Sequence, residues 1–164
     1  YISGAELVET FENVVMTRTY SKAFGLAALR LGWAYCPSVI ANVLNRVRNP
    51  FNVTAAAQVA GVAAVGDLSH SDAVVAHNDE WLPRFTDELK GLGLEVPPSV
   101  GNFVLVRFGT AERAQSAYDH LMKCGVITRM MGGYGLPDSL RITVGLGPEL
   151  KAVLDGLSEY ERTT

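Results

Sequence analysis

In the run TRTYSKAFGLAALRLGW (residues 17–33), a lysine and an arginine stand among apolar residues and hydroxyls. Lys22 follows a β-rich run and precedes AFGLAAL, so its surroundings are expected to be largely apolar. Desolvation disfavours an ammonium, and a lysine placed so becomes a nucleophile for carbonyl carbon, used through a Schiff base. Thr19 and Ser21 alternate on a segment expected to be extended, so their hydroxyls face one way. Arg30 lies in the apolar stretch eight residues after the lysine and needs an anionic partner. A phosphate matches its fork of donors. A lysine nucleophile beside a phosphate cup suggests a phosphorylated aldehyde cofactor, pyridoxal phosphate. The competing reading is an internal ion pair with one of the chain's carboxylates. A Ser–Lys hydrolase pair is disfavoured, because Ser21 and Lys22 are adjacent and no SxxK spacing is present.

These residues need elements to position them. Residues 5–11 read as a short amphipathic helix, residues 14–19 as a buried strand, and residues 29–36 as a second strand with Gly32 allowing close backbone approach. Pro37 sits where a helix can begin, with apolar residues at helical spacing through Val47. The alanine-rich residues 53–66 suit a buried helix and are too short to span a bilayer. A long helix is expected from a Ser71 or Asp72 cap to Gly91 or Gly93, kinked or divided at Pro83. Then follow LEV, a Pro97–Pro98 turn, a strand over 102–108, a helix over 111–125, strands in VITRM and SLRITVG, and a final helix from Pro148. The fold class is therefore α/β. Residues 1–72 are expected to form one part and 73–164 a compact α+β part with its own sheet and helices. The first part has too few strands for a full sheet. With Tyr1 in place of an initiating methionine, the chain reads as a portion of a longer one.

Composition narrows the function classes. The 164 residues carry a formal net charge of -3, with 48% apolar and 19% charged residues. No concentrated basic patch points to nucleic acid or a membrane surface, and Arg46 and Arg48 read as a solvated helix face. Cys36 and Cys124 show neither disulfide nor metal spacing, which suits a reducing cytoplasm. No metal site is expected: His70 and His77 lack a third ligand, and His120 stands alone. Trp33 and Trp81 are expected to pack, and Arg18 receives no role.

The run TRTYSKAFGLAALRLGW resembles the cofactor-lysine signature of fold-type I aminotransferases, S/T-x-S-K-x-x-G-L-x-G-x-R-x-G. NPFNVTAAAQVAG, GNFVLVRF and GGYGLPDSLRITVG are similar in order and spacing to the histidinol-phosphate aminotransferase branch. The likeness covers essentially the whole chain, matched to the C-terminal portion of such a protein. Ala28 departs from the pattern, which often has glycine there.

The resemblance implies that residues 1–72 close a large pyridoxal-phosphate-binding domain and that 73–164 form the small domain. It implies that Lys22 anchors the cofactor covalently and shuttles the proton between substrate Cα and cofactor C4′. Thr19, Ser21 and Arg30 would hold the cofactor phosphate, Arg141 the carboxylate of the amino donor, and Arg129 a second anion such as a substrate phosphate. The implied reaction is ping-pong transamination of histidinol phosphate with 2-oxoglutarate and glutamate, in a cytoplasmic homodimer. Alternatives are an aromatic amino acid aminotransferase, a threonine-phosphate decarboxylase, or a non-catalytic portion lacking the other half of the site. In such enzymes an aspartate, a tyrosine and an asparagine of the site lie upstream, and Tyr1 is not that tyrosine. GGYGLP would form a rim over the substrate.

Overall fold

The computed structural model describes residues 2–163. Tyr1 lies outside them. The chain divides into two compact units, Tyr1–Val75 and Ala76–Thr164.

The first unit begins with α1 (Gly4–Thr10), capped by the Ser3 side chain, which accepts from the Ala5 N–H. Strands β1 (Met16–Thr19) and β2 (Gly32–Tyr35) form an antiparallel pair in which Thr19 faces Gly32 and Arg18 faces Trp33. A Cβ on Gly32 would sit 2.7 Å from the Arg18 carbonyl oxygen, so only glycine lets the two backbones come this close. Helices α2 (Ser38–Val47) and α3 (Ala55–Gly66) follow, the latter capped by Thr54, whose hydroxyl accepts from the Ala57 N–H.

Three expectations fail in this unit. The β1 strand is not buried, since its two-stranded ladder has no flanking strands among the described residues. Helix α3 is not buried either: it covers only Ala57 and Gly61, while Val59 and Val62 face outward. Trp33 is 47% exposed rather than packed. What α3 does cover matters for the site. Gly61 lies against the Leu31 side chain and near the Tyr20 ring, so its lack of a Cβ seats the helix on the two ends of the β1–β2 connection.

Helix α4 (Leu68–Gly91) starts before the expected cap. Asp67 caps it instead, its carboxylate accepting from the His70 N–H at 3.0 Å and the Ser69 hydroxyl at 2.8 Å. Those bonds, the Ser69 one first, hold the Asp67 carboxyl below its ordinary range. Pro83 neither divides nor ends the helix. Gly93, at φ 83°, supplies the left-handed turn that leaves it.

In the second unit, β3 (Phe103–Arg107), β4 (Arg129–Met130) and β5 (Ser139–Thr143) form an antiparallel sheet of order β3-β5-β4. The LEV segment adds one bridge, Glu95 to Arg107, rather than a strand. Period-2 alternation sends Val104, Val106, Leu140 and Ile142 into the core. There they meet Ala114, Ala117 and Leu121 of α5 (Ala111–Lys123), Leu150 and Leu157 of α6 (Gly147–Thr163), and Phe85 and Leu89 of α4. Trp81 packs at the edge of this core as expected, with the Arg84 guanidinium 4.5 Å from its ring centre. His77 Nε2 bonds the Gly145 carbonyl at 2.9 Å, so its role is to fix the loop entering α6.

Candidate active site

In the first unit, the antiparallel register places the lysine run. The ladder ends at Thr19 opposite Gly32 and is prolonged by the Tyr20 N–H donating to the Leu31 carbonyl. The next residues outward are Ser21 on one side and Arg30 on the other. The connection between them is drawn tight by the Gly25 N–H bonding the Lys22 carbonyl at 2.8 Å and the Leu26 N–H bonding the Tyr20 carbonyl at 2.9 Å. Gly25 takes φ 69° in that turn. Thr19, Ser21, Lys22 and Arg30 therefore gather at one end of the β1–β2 ladder, far from adjacent in sequence though the arginine is.

Two details differ from expectation. Ser21 and Lys22 lie in a bend after β1, not on an extended segment, so hydroxyl alternation is not what brings Thr19 and Ser21 together. The turn does. Lys22 is exposed, not desolvated, because the apolar residues after it turn away into a short 3₁₀ turn, Ala27–Leu29.

The partners at this end are few. The Thr19 hydroxyl oxygen accepts from the Ser21 N–H at 3.0 Å, which leaves its own hydrogen free to donate. The Arg30 guanidinium makes one bond, to the Ala27 carbonyl at 2.7 Å. Among the described residues, neither Lys22 nor Arg30 is paired with a carboxylate, so the internal ion pair that competed with an anion ligand is not formed. Arg30 also has φ 52°, the left-handed region. Holding a non-glycine residue there costs roughly 1–3 kcal/mol and is a mark of functional positions. Ala28 has no positive φ, so alanine takes the place of glycine there without strain.

In the second unit, Arg129 and Arg141 are direct cross-strand partners of β4 and β5, and Leu105 of β3 completes the row. Direct partners have Cβ atoms about 4.5–5.5 Å apart, and like charges so placed repel. Each guanidinium lies near an aromatic ring: Arg141 5.1 Å from the Phe103 centroid, and Arg129 5.2 Å from that of Tyr134. Arg129 also donates to the Tyr134 hydroxyl at 3.0 Å. The Arg141 Nε is buried with no partner. A buried unpaired donor beside a second cation describes a place for an anion. Tyr134 belongs to the GGYGLP segment, which is closed by backbone bonds from Tyr134 N–H and Leu136 N–H to the Met131 carbonyl. Sequence reading missed Phe103 and Tyr134, because the register that sets Phe103 beside Arg141 is not written in local spacing.

The profile of the family described as aminotransferase class I and II matches residues 2–156. The histidinol-phosphate aminotransferase of Paramagnetospirillum magneticum is 52% identical over 162 residues, covering 98% of this chain and 45% of that protein. That of Rhodospirillum centenum is 52% identical over 161 residues, covering 98% and 44%. The crystal structure of histidinol-phosphate aminotransferase from Sinorhizobium meliloti in complex with pyridoxal-5'-phosphate superposes with TM-score 0.85 at 30% identity, over 93% of this chain and 42% of that one. The chain thus spans somewhat less than half the length of these relatives, and its α/β class is theirs.

Proposed function

Because the chain belongs to the aminotransferase class I and II family, we propose that it is the lysine-bearing portion of a pyridoxal-phosphate-dependent transaminase acting on histidinol phosphate and 2-oxoglutarate. The likeness to two histidinol-phosphate aminotransferases over 98% of the chain supports histidinol phosphate as the amino donor. The observation that carries the site is the left-handed Arg30, with no carboxylate partner among the described residues, just beyond the Thr19–Gly32 end of the ladder.

The residues fit the cofactor. A phosphate dianion needs several donors and no competing carboxylate, and the hydroxyls of Thr19 and Ser21 with the Arg30 guanidinium offer that set. Bound there, pyridoxal phosphate supplies an electron sink for the carbanion left when the substrate Cα–H bond breaks. Lys22 Nζ would hold the cofactor covalently and would carry the proton between substrate Cα and cofactor C4′. Its side chain is exposed and has no partner among the described residues, so Nζ is accessible to the cofactor's aldehyde. Arg141 holds the donor's carboxylate through its fork and its unpaired Nε. Arg129, seated on Tyr134, holds the substrate phosphate.

On this reading residues 1–72 belong to the large domain and 73–164 to the small one. The whole protein acts in the cytoplasm as a homodimer. Outward-facing Val39, Val43 and Val47 on one side of α2, and Val59 and Val62 on α3, support a covering partner. The thiols of Cys36 and Cys124 are both free. No helix among the described residues is long and apolar enough to cross a membrane.

Absorbance of the cofactor-loaded full-length protein checks the substrate. Histidinol phosphate is expected to convert the cofactor to its amine form without carbon dioxide release, and 2-oxoglutarate to restore it, with parallel lines in a two-substrate rate plot. Faster conversion by aromatic amino acids would favour the aromatic aminotransferase. Release of carbon dioxide would favour the phosphothreonine decarboxylase.

A further inference from the structure

His120 is not alone, as its sequence neighbourhood suggested. It lies one turn before Cys124, the residue that caps α5, and i,i+4 spacing puts both side chains on one face. His120 Nε2 and Cys124 Sγ are 3.6 Å apart. Glu159 comes to the same place from α6, and the three ligand atoms all lie within 4.8 Å of one another. The approach of the two helices depends on Gly156, whose missing Cβ would meet the Leu121 side chain at 3.0 Å and the Cys124 sulfur at 3.8 Å. The set is partly open to solvent: His120 is half-buried, while Cys124 and Glu159 are exposed.

We propose that His120, Cys124 and Glu159 form a binding site for a divalent transition-metal ion of the zinc class, separate from the lysine site. The dimensions suit it. With Zn–S about 2.3 Å and Zn–N about 2.0–2.1 Å, a tetrahedral centre sets the sulfur and nitrogen about 3.6 Å apart. The observed separation of 3.6 Å already matches that edge. The exposed Glu159 carboxylate closes the remaining separation by rotation about its own side-chain bonds. Imidazole, thiolate and carboxylate are the zinc donor types, and a set of three leaves a fourth position for water. The C-terminal end of α5, the negative end of the helix dipole, adds to the field at the ion. Binding displaces the thiol proton to solvent and ties α5 to α6 across their contact.

Cobalt(II), a spectroscopic stand-in for zinc, tests this directly in the full-length protein. Titration is expected to give a sulfur-to-cobalt charge-transfer band together with intense visible bands of a tetrahedral centre. Zinc should bleach both by displacement. Cys124→Ser should remove the charge-transfer band, whereas Cys36→Ser should keep it. His120→Ala and Glu159→Gln should each weaken cobalt binding by roughly tenfold or more. The proposal is overturned if the parent protein gives no such band, if Cys124→Ser retains it, or if both other variants bind as tightly as the parent. That last result would mean a single surface thiol binding metal by itself. Each variant alters a side chain at the surface of the helix pair, and circular dichroism before titration identifies any that misfold. None of the readouts involves turnover, so failure here and failure of the transaminase reading are distinguishable.

Discussion

Replacing Lys22 with alanine in the full-length protein is expected to reduce turnover roughly a thousandfold or more, a barrier increase of about 4 kcal/mol. The fold should survive. Lys22 is exposed, has no hydrogen-bond or ion-pair partner among the described residues, and its carbonyl, not its side chain, makes the turn to Gly25. Surface substitutions of this kind usually change stability by less than about 0.5 kcal/mol. An unchanged melting temperature with lost turnover is therefore the expected pair of results. Arginine at position 22 separates charge from nucleophilicity: it keeps a cation but cannot be deprotonated at working pH, so it should be as inactive as alanine. Normal turnover in either variant would remove Lys22 from the chemistry.

Arg141→Ala is expected to lower kcat/KM for glutamate by roughly 100- to 1000-fold, because a charge-assisted pair to a desolvated carboxylate is worth about 3–4 kcal/mol, and to cost histidinol phosphate, which has no carboxylate, far less. Arg129→Ala should act selectively, costing the phosphorylated donor far more than glutamate. The two residues are cross-strand partners, so each removal also relieves a like-charge contact, and stability should hold or rise slightly. Removing Arg141 also removes a buried, unpartnered Nε. Steady-state kinetics with both donors check the split. Equal losses for both donors in Arg129→Ala would take the substrate phosphate away from that residue. Intact kinetics in Arg141→Ala would do the same for the donor carboxylate.

What could be read from sequence followed the range of the physics involved. Helix periodicity and turn residues act over a few positions, and the spans of α2, α5 and α6 follow from Val39, Val43 and Val47, from Ala114, Ala117 and Leu121, and from Pro148. The need for glycine at position 32 was also legible, because a backbone contact leaves no other residue type. Burial was not, since it depends on what lies against an element. An alanine-rich run looks like a core helix whether or not a second layer covers it, and α3 exposes Val59 and Val62 here. The start of α4 shifted because Asp67, whose carboxylate reaches the His70 N–H, competes with Ser71 and Asp72 and wins on position.

The site divides in the same way. Lys22, Thr19, Ser21 and Arg30 were singled out by residue type and local spacing. The reason they meet is the antiparallel register of β1 and β2, which no local pattern states. Arg129 and Arg141 were singled out separately, and only the pairing of β4 with β5 makes them a pair. His120 and Cys124 were read as unrelated residues; α5 sets them one turn apart, and the third ligand arrives from α6 across a contact that Gly156 permits.

Lys22 is the residue expected to hold the cofactor. Borohydride converts a carbon–nitrogen double bond between lysine and pyridoxal phosphate into a stable single bond. Full-length protein loaded with the cofactor, reduced, digested and mapped by mass spectrometry should carry the added mass on the peptide containing Lys22, with Lys90, Lys123 and Lys151 unlabelled. Label absent from Lys22, or placed on one of those other lysines, would mean that Lys22 does not hold the cofactor.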